Sequence, residues 1–224
     1  MRLFSGLRIG VWITALCLCV QGQNTPGKDT QINEGKGLPP RATPTDYEVQ
    51  GQAGTLTVAA EFKGHSVPTL QGTYSTEDYV TVETALFGAP GARAKLSIED
   101  FSLRVNGKKT TLTSQPYGLI FSSLKDPEWV PPEGTESKSK TSIGGGGGGR
   151  GGQSDPAPLP PKMPFELQRA MQQQVQKAVL PEGDRALPQA GLIFFQYRGK
   201  TEHIRSLELT YTGPAGKATL MLQP

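Results

Sequence analysis

Cysteine is almost missing from this chain. It has two, Cys17 and Cys19, and both lie close to the N-terminus. If that end is removed on export, the remaining chain holds no disulfide, no thiol nucleophile and no thiolate ligand. Histidine is equally scarce: His65 and His203 are far apart, and neither has a near acidic repeat. Metal sites need clustered ligands, so both histidines are expected to be solvated or hydrogen-bonded, and no metal or other cofactor is expected. No charge of one sign dominates, with 23 basic residues against 20 acidic ones. Without Arg2 and Arg8 the balance is 21 to 20, a net charge of +1, which is no footprint for nucleic acid. Beyond residue 22 no run is long and apolar enough to span a bilayer.

The N-terminus itself is distinctive. Arg2 and Arg8 precede Ile9 to Val20, twelve residues without a charge. The run is short for a membrane span and reads as a secretory signal peptide over 1–22, with Val20 and Gly22 as the small residues before the cut. An uncleaved anchor is the other reading. Cys17 and Cys19 follow Leu16 and Leu18, where a lipobox carries Gly, Ala or Ser, so lipidation is not expected. The chain is therefore expected to be secreted or periplasmic, and an exported domain without disulfides must stand on its hydrophobic core.

Residues 23–45 are polar and rich in Gly and Pro, a flexible leader. The globular part begins near Asp46. Leu56, Val58, Ala60 and Phe62 alternate with Thr55, Thr57, Ala59 and Glu61, a first strand. Gly64 to Asp78 is a connection along a sheet edge. Tyr79 to Phe87 is a second strand, with Val80, Val82, Thr84 and Leu86 on one face. Leu96 and Ile98 mark a short strand, and Phe101, Leu103 and Val105 the next. Asn106-Gly107 between Val105 and Lys108 is a two-residue hairpin turn of the kind that needs positive φ twice. Tyr117 to Leu124 reads as a further strand.

From Pro131 the composition changes. Residues 131–162 include six consecutive glycines, Gly144 to Gly149, and the proline-rich Pro156 to Pro161. Such a segment costs too much entropy to order and is expected to be a disordered insert. The glycines lack the Gly-Lys-Ser/Thr ending of a phosphate loop. Met163 to Val179 then reads as a helix, with Pro164 and Glu166 suited to its first turn and Lys177 to its last. Leu167, Met171, Val175 and Ala178 form one stripe. The stripe is expected to pack on the sheets; the sharper alternative makes Leu167, Met171 and Val175 a partner-binding face.

The end of the chain carries the strongest pattern. Leu192 to Tyr197 is apolar on both faces, the mark of a strand covered on both sides. Leu207, Leu209 and Tyr211 alternate with Ser206, Glu208 and Thr210, and Ala218, Leu220 and Leu222 share a face after the turn Thr212 to Gly216. These three runs are expected to form an antiparallel meander. Strand spacing and the single late helix predict a mainly β fold: an antiparallel immunoglobulin-like sandwich of seven or eight strands. Residues 46–130 and 163–224 would share it. Two small units joined by a linker are the alternative.

Candidate chemistry is thin. Ser122-Ser123-Leu124-Lys125 matches a Ser-x-x-Lys string but lacks its companion motifs. Glu99 and Asp100 are adjacent, so on a strand they would face opposite ways, a poor acid–base pair. Trp129 is expected to cap the core beside Pro131.

Ser97 to Val105, with Asp100-Phe101 and its hairpin, and the closing Gly191 to Leu222 stretch together resemble secreted bacterial telokin-like immunoglobulin sandwiches of unknown function. The likeness covers about half of the mature chain and lies mostly in strand rhythm. It implies an extracytoplasmic binding or structural domain and carries over no site residues. Three functions are therefore carried forward. The first is a non-enzymatic binding or scaffolding module, meeting an envelope protein through the helix or a sheet edge. The second is a hydrolase using loop carboxylates, with Glu99, Asp100 and His65 as its residues. The third is a carrier of an apolar ligand between the sheets.

Overall fold

The computed structural model describes residues 36–130 and 163–224. The expected signal peptide over 1–22, most of the leader and the insert over 131–162 lie outside the described residues. Within them the chain is mainly antiparallel β with one α-helix. In chain order the elements are β1 (Val49–Ala53), β2 (Leu56–Gly64), β3 (Ser66–Pro68), β4 (Thr73–Thr76) and β5 (Tyr79–Phe87). Then come β6 (Arg93–Leu96), β7 (Phe101–Val105), β8 (Leu112–Gln115), β9 (Leu124–Lys125) and α1 (Phe165–Ala178). The chain closes with β10 (Gly183–Ala186), β11 (Gln189–Gln196), β12 (Leu207–Gly213) and β13 (Gly216–Leu222).

The main sheet has eight strands in the order β1-β2-β5-β11-β8-β7-β12-β13. It curls until its outer strands meet. Gly51 of β1 lies against Ala218 and Leu220 of β13, and a Cβ on Gly54 would strike the Ala215 carbonyl of the opposite hairpin. Gly54 also has φ +59, so both space and backbone reserve the position for glycine. Inside the curl, Val58, Val82, Leu86, Ile193 and Phe195 pack with Phe101, Leu103, Leu207, Leu209, Tyr211 and Leu220. Each such side chain, fully buried, stabilises the fold by about 1.5–3 kcal/mol.

A second apolar cluster covers the outer face of β5 and β11. There Met171, Val175 and Ala178 of α1 pack with Val67, Tyr74, Tyr79, Leu192 and Phe194. Two small sheets complete the fold, β10 with β6 and β3-β4-β9. β3 and β4 of the second occupy the stretch Gly64 to Asp78, expected to be an edge connection.

β11 is buried from Ala190 to Phe195, as its two apolar faces require. Yet it does not pair with β12. It lies between β5 and β8, with β8 and β7 separating it from the β12–β13 hairpin. The expected three-strand meander is thus corrected. A strand covered on both sides needs a ladder on each edge, and Tyr197 to Ser206 is long enough to carry the chain past two strands. The β12–β13 hairpin itself forms, with Leu207, Leu209, Tyr211, Ala218, Leu220 and Leu222 facing the core.

The expected strand over Tyr117 to Leu124 is also corrected. Tyr117–Ser122 is a 3₁₀ helix, begun by the turn in which Leu119 N donates to Pro116 O, and only Leu124–Lys125 is extended. Ile120 and Ser123 are the buried positions and Ser122 between them is exposed, a three-residue spacing that strand alternation would not give. Likewise Ile98–Asp100 is a 3₁₀ turn capped by the Ser97 hydroxyl, which accepts from Glu99 N at 3.2 Å.

Asn106 and Gly107 adopt positive φ, 53° and 63°, but the expected two-residue hairpin is corrected. β7 pairs with β8 only at Ser102–Thr113 and Leu103–Leu112, so the turn is part of a longer connection. Its asparagine does more than turn. Asn106 Nδ2 donates to His203 O at 2.9 Å, and its Oδ1 accepts from Arg205 N at 2.6 Å and Ser206 N at 3.3 Å.

After α1 the chain runs along β11. Leu180 N donates to Leu192 O at 3.1 Å, and Val179 bridges Leu192 in parallel. Gly191 makes room for it: a Cβ there would lie 2.6 Å from the Val179 carbonyl carbon and closer still to Leu180 N and Cα. Leu180 is 1% exposed and joins the inner core.

Candidate functional site

The first candidate is a cavity of about 420 Å³ between the start of α1 and the segment over residues 121–129. Phe121, Leu124, Trp129, Met163 and Met171 give it apolar walls. Lys125, Asp126, Gln168 and Gln172 set polar groups around them. Local chemistry fixes each wall. Asp126 Oδ1 accepts from Glu128 N at 2.9 Å and Asp126 O accepts from Trp129 N, a side-chain-supported turn that brings Trp129, half-buried, onto the cavity. Gln168 Nε2 donates to Met163 O at 2.9 Å and holds Met163 over the first helical turn. Below, Ser123 Oγ pairs with Thr76 Oγ1 at 2.7 Å and donates to Ile120 O, anchoring the 3₁₀ helix to β4.

The cavity has apolar neighbours on the surface. Leu119, Val130 and Phe165 are exposed at 51%, 76% and 71%, and each lies within two residues of a cavity-lining side chain. They are three of the five large apolar side chains exposed among the described residues, the others being Leu70 and Met221. A concave surface of mixed apolar and polar lining has the pattern of a recognition site.

The second candidate is ionic. Glu61 of β2 and Glu83 of β5 are directly opposite each other in the ladder. Facing like charges repel. Arg41 and Lys63 each bridge the two carboxylates, with Arg41–Glu83 at 3.1 Å and Lys63–Glu83 at 3.2 Å, and each also pairs with Glu61. Arg41 further lies over the Tyr47 ring, 4.3 Å from its centroid. Burial alone would raise the Glu61 carboxyl, but hydrogen bonds from Lys63 and Arg41 and their charges outweigh it and hold it below its usual range. Both carboxylates are thus satisfied, and the group fastens the segment over residues 41–47 to the sheet.

No family model, curated protein or solved structure matches this chain.

The residues singled out in the sequence fall as follows. Met171 and Val175 are buried against the sheet, and Leu167 is half-buried beside them. This helix face is taken up by the domain's own core, while Phe165 points outward. His65 lies at the β2–β3 corner against Tyr79 O and Gly199 O. Glu99 and Asp100 sit on the 3₁₀ turn, with Asp100 beside Tyr211 and Gly213. Burial, then the Glu99 charge, raises the Asp100 carboxyl. Among the described residues, His65 contacts Tyr79, Gly199 and Tyr197, none of which lies beside these carboxylates.

Ser123 is held by Thr76 and Ile120, and Lys125 pairs with Glu77. Among the described residues no three His, Cys, Asp or Glu side chains gather as metal ligands, and no helix is long and apolar enough to cross a membrane. The ionic group had one sequence signal. Glu83 is the single charged residue of a nine-residue strand that is otherwise apolar or neutral, and a carboxylate in such a strand needs partners.

Proposed function

We propose that this chain is an exported, non-enzymatic binding module, immunoglobulin-like in kind, whose ligand is a segment of another protein of the cell envelope. The observation that carries the reading is the cavity between α1 and Trp129; exposed Leu119, Val130 and Phe165 lie within two residues of its lining in the chain. Its chemistry selects the partner. Apolar walls take an aromatic or aliphatic anchor, and glutamine amides with one lysine and one aspartate suit an uncharged backbone flanking that anchor. Without the N-terminal segment the net charge is +1, which adds no strong steering. Leu167, Met171 and Val175 support the site from behind as part of the core.

A second reading is an apolar small-molecule carrier. The space inside the curled sheet is filled by Phe101, Phe195 and Tyr211, all 2% exposed or less, so a ligand would use this same cavity. Its volume lies within the ~300–1,000 Å³ range of small-molecule sites.

Capture from an envelope extract with the parent protein and a Leu119→Asp/Phe165→Asp variant tests the first reading. A Met221→Asp variant is the control. The partner should be lost with the double variant and kept with the control, and the purified partner should shift Trp129 fluorescence. A partner retained by the double variant would sink this site. An apolar molecule that co-purifies with the parent and leaves with Met171→Trp would favour the carrier.

A further inference from the structure

We infer that His65 is a doubly protonated latch that fastens the connection over Arg198–Ser206 to the sheet and loosens it as pH rises. The ring lies between two backbone carbonyls: Nδ1 is 2.7 Å from Tyr79 O and Nε2 is 2.9 Å from Gly199 O. A carbonyl oxygen only accepts. A neutral imidazole has one N–H and one lone pair, so it can satisfy one of these oxygens but not both. Both bonds exist together only when both ring nitrogens carry a proton.

The surroundings allow that charge without supplying it. His65 is half-buried, and the Tyr197 ring stacks on it at 6.4 Å between centroids and 27°. The titratable groups of the adjoining groove are Glu77 after β4, Lys125 of β9, and Arg198, Lys200 and Glu202 on the connection itself. Asp78 pairs with Arg198 at 2.9 Å, and Lys125 pairs with Glu77. Three acids thus face three bases. The two carbonyl dipoles are what the imidazolium answers to.

Loss of one proton would set a nitrogen lone pair against a carbonyl lone pair, so one contact must open. Tyr79 belongs to β5 and is itself paired with Gln196 of β11 in the main sheet. Gly199 belongs to an irregular stretch, which therefore yields. Its far end stays tied by the three Asn106 side-chain bonds to His203, Arg205 and Ser206. Release is thus confined to the portion near Gly199–Thr201. That portion forms one wall of a groove of about 480 Å³ that also includes Ser75 and Thr76. Protonated, the ring makes two bonds; neutral, it makes one. The groove is consequently held in acid and loosened in base.

The test is long-range ¹H–¹⁵N spectroscopy of the imidazole rings with amide hydrogen exchange, across about pH 5 to 8, the window in which histidine titrates. At the acid end His65 should show both ring nitrogens protonated. Its deprotonation should speed exchange at His203 and Ile204, whose amides donate to Lys200 O and Thr201 O, by about tenfold relative to the intrinsic rate, the scale of one charge-assisted hydrogen bond. Amides in β13 should not respond. His65→Gln has a single donor-bearing nitrogen at every pH, so its exchange should be fast and flat with pH. A neutral His65 throughout, equal protection at both ends of the range, or the same pH response in His65→Gln would overturn the latch. The parent spectra decide the matter even if the variant does not fold.

Discussion

Gly191→Ala adds one methyl group and should behave as a severe core mutation. The added Cβ would lie 2.6 Å from the Val179 carbonyl carbon and nearer still to Leu180 N and Cα. These are backbone atoms, so no side chain can rotate away. Either β11 must shift, which disturbs its ladder with β5, or the Val179–Leu180 segment must lift. Lifting breaks the Leu180 N–Leu192 O bond of 3.1 Å and draws Leu180, 1% exposed, out of the core. The lost bond costs about 1 kcal/mol and the withdrawn leucine about 2 kcal/mol, so a loss of about 3 kcal/mol is expected. For a domain of this size that is a fall of about 6–12 °C in melting temperature. Urea unfolding followed by circular dichroism reads it directly. Gly118→Ala is the control, because nothing lies within 4 Å of a Cβ there. It should fall within about 1 kcal/mol of the parent. If Gly191→Ala also lies within about 0.5 kcal/mol of the parent, the docking of Val179–Leu180 on β11 is not as described.

Three further outcomes follow from other parts of the molecule. Glu61 is held below its ordinary value of 4.5, so its contribution is present above that pH and lost as pH falls through the lower folded value. Urea midpoints at successive acid pH should drop less steeply below 4.5 in Glu61→Gln than in the parent. Asn106→Ala loses three side-chain bonds and leaves alanine at φ 53°, a cost of about 4 kcal/mol, whereas Asn106→Gly relieves the backbone part; denaturation of the pair separates the two terms. Met171→Ala, at 2% exposure, should cost about 2–5 kcal/mol in the same assay and enlarge the cavity beside Trp129.

Where periodicity spoke, the sequence was readable. The two-faced apolar run of β11, the one-faced runs of β12 and β13 and the helix within Met163 to Val179 all form. Periodicity gives the burial of a strand but not its neighbour, which is why β11 was placed beside β12 rather than between β5 and β8. Tyr117 to Leu124 is short and has Leu119, Ile120 and Phe121 in a row, which shows neither the period of a strand nor that of a tight helical turn. The cavity needs Phe121 to Trp129 and Met163 to Gln172 side by side, and nothing in either stretch signals the other. The ionic group was half legible: Glu83 advertised a need, while Arg41 and Lys63 answer it from positions that only the fold brings near.

The place of β11 also sets the order in which the molecule can be completed. β5 and β8 are both complete by residue 115, and the strand that joins them begins at residue 189. Until it arrives, each keeps an edge of unpaired backbone groups, the kind that pairs with other chains. Contacts so distant in sequence make folding slow, because the loop must close before the ladder repays it. A chain shortened before residue 189 is therefore expected to associate rather than fold, with the missing piece at the centre of the sheet and not at its margin.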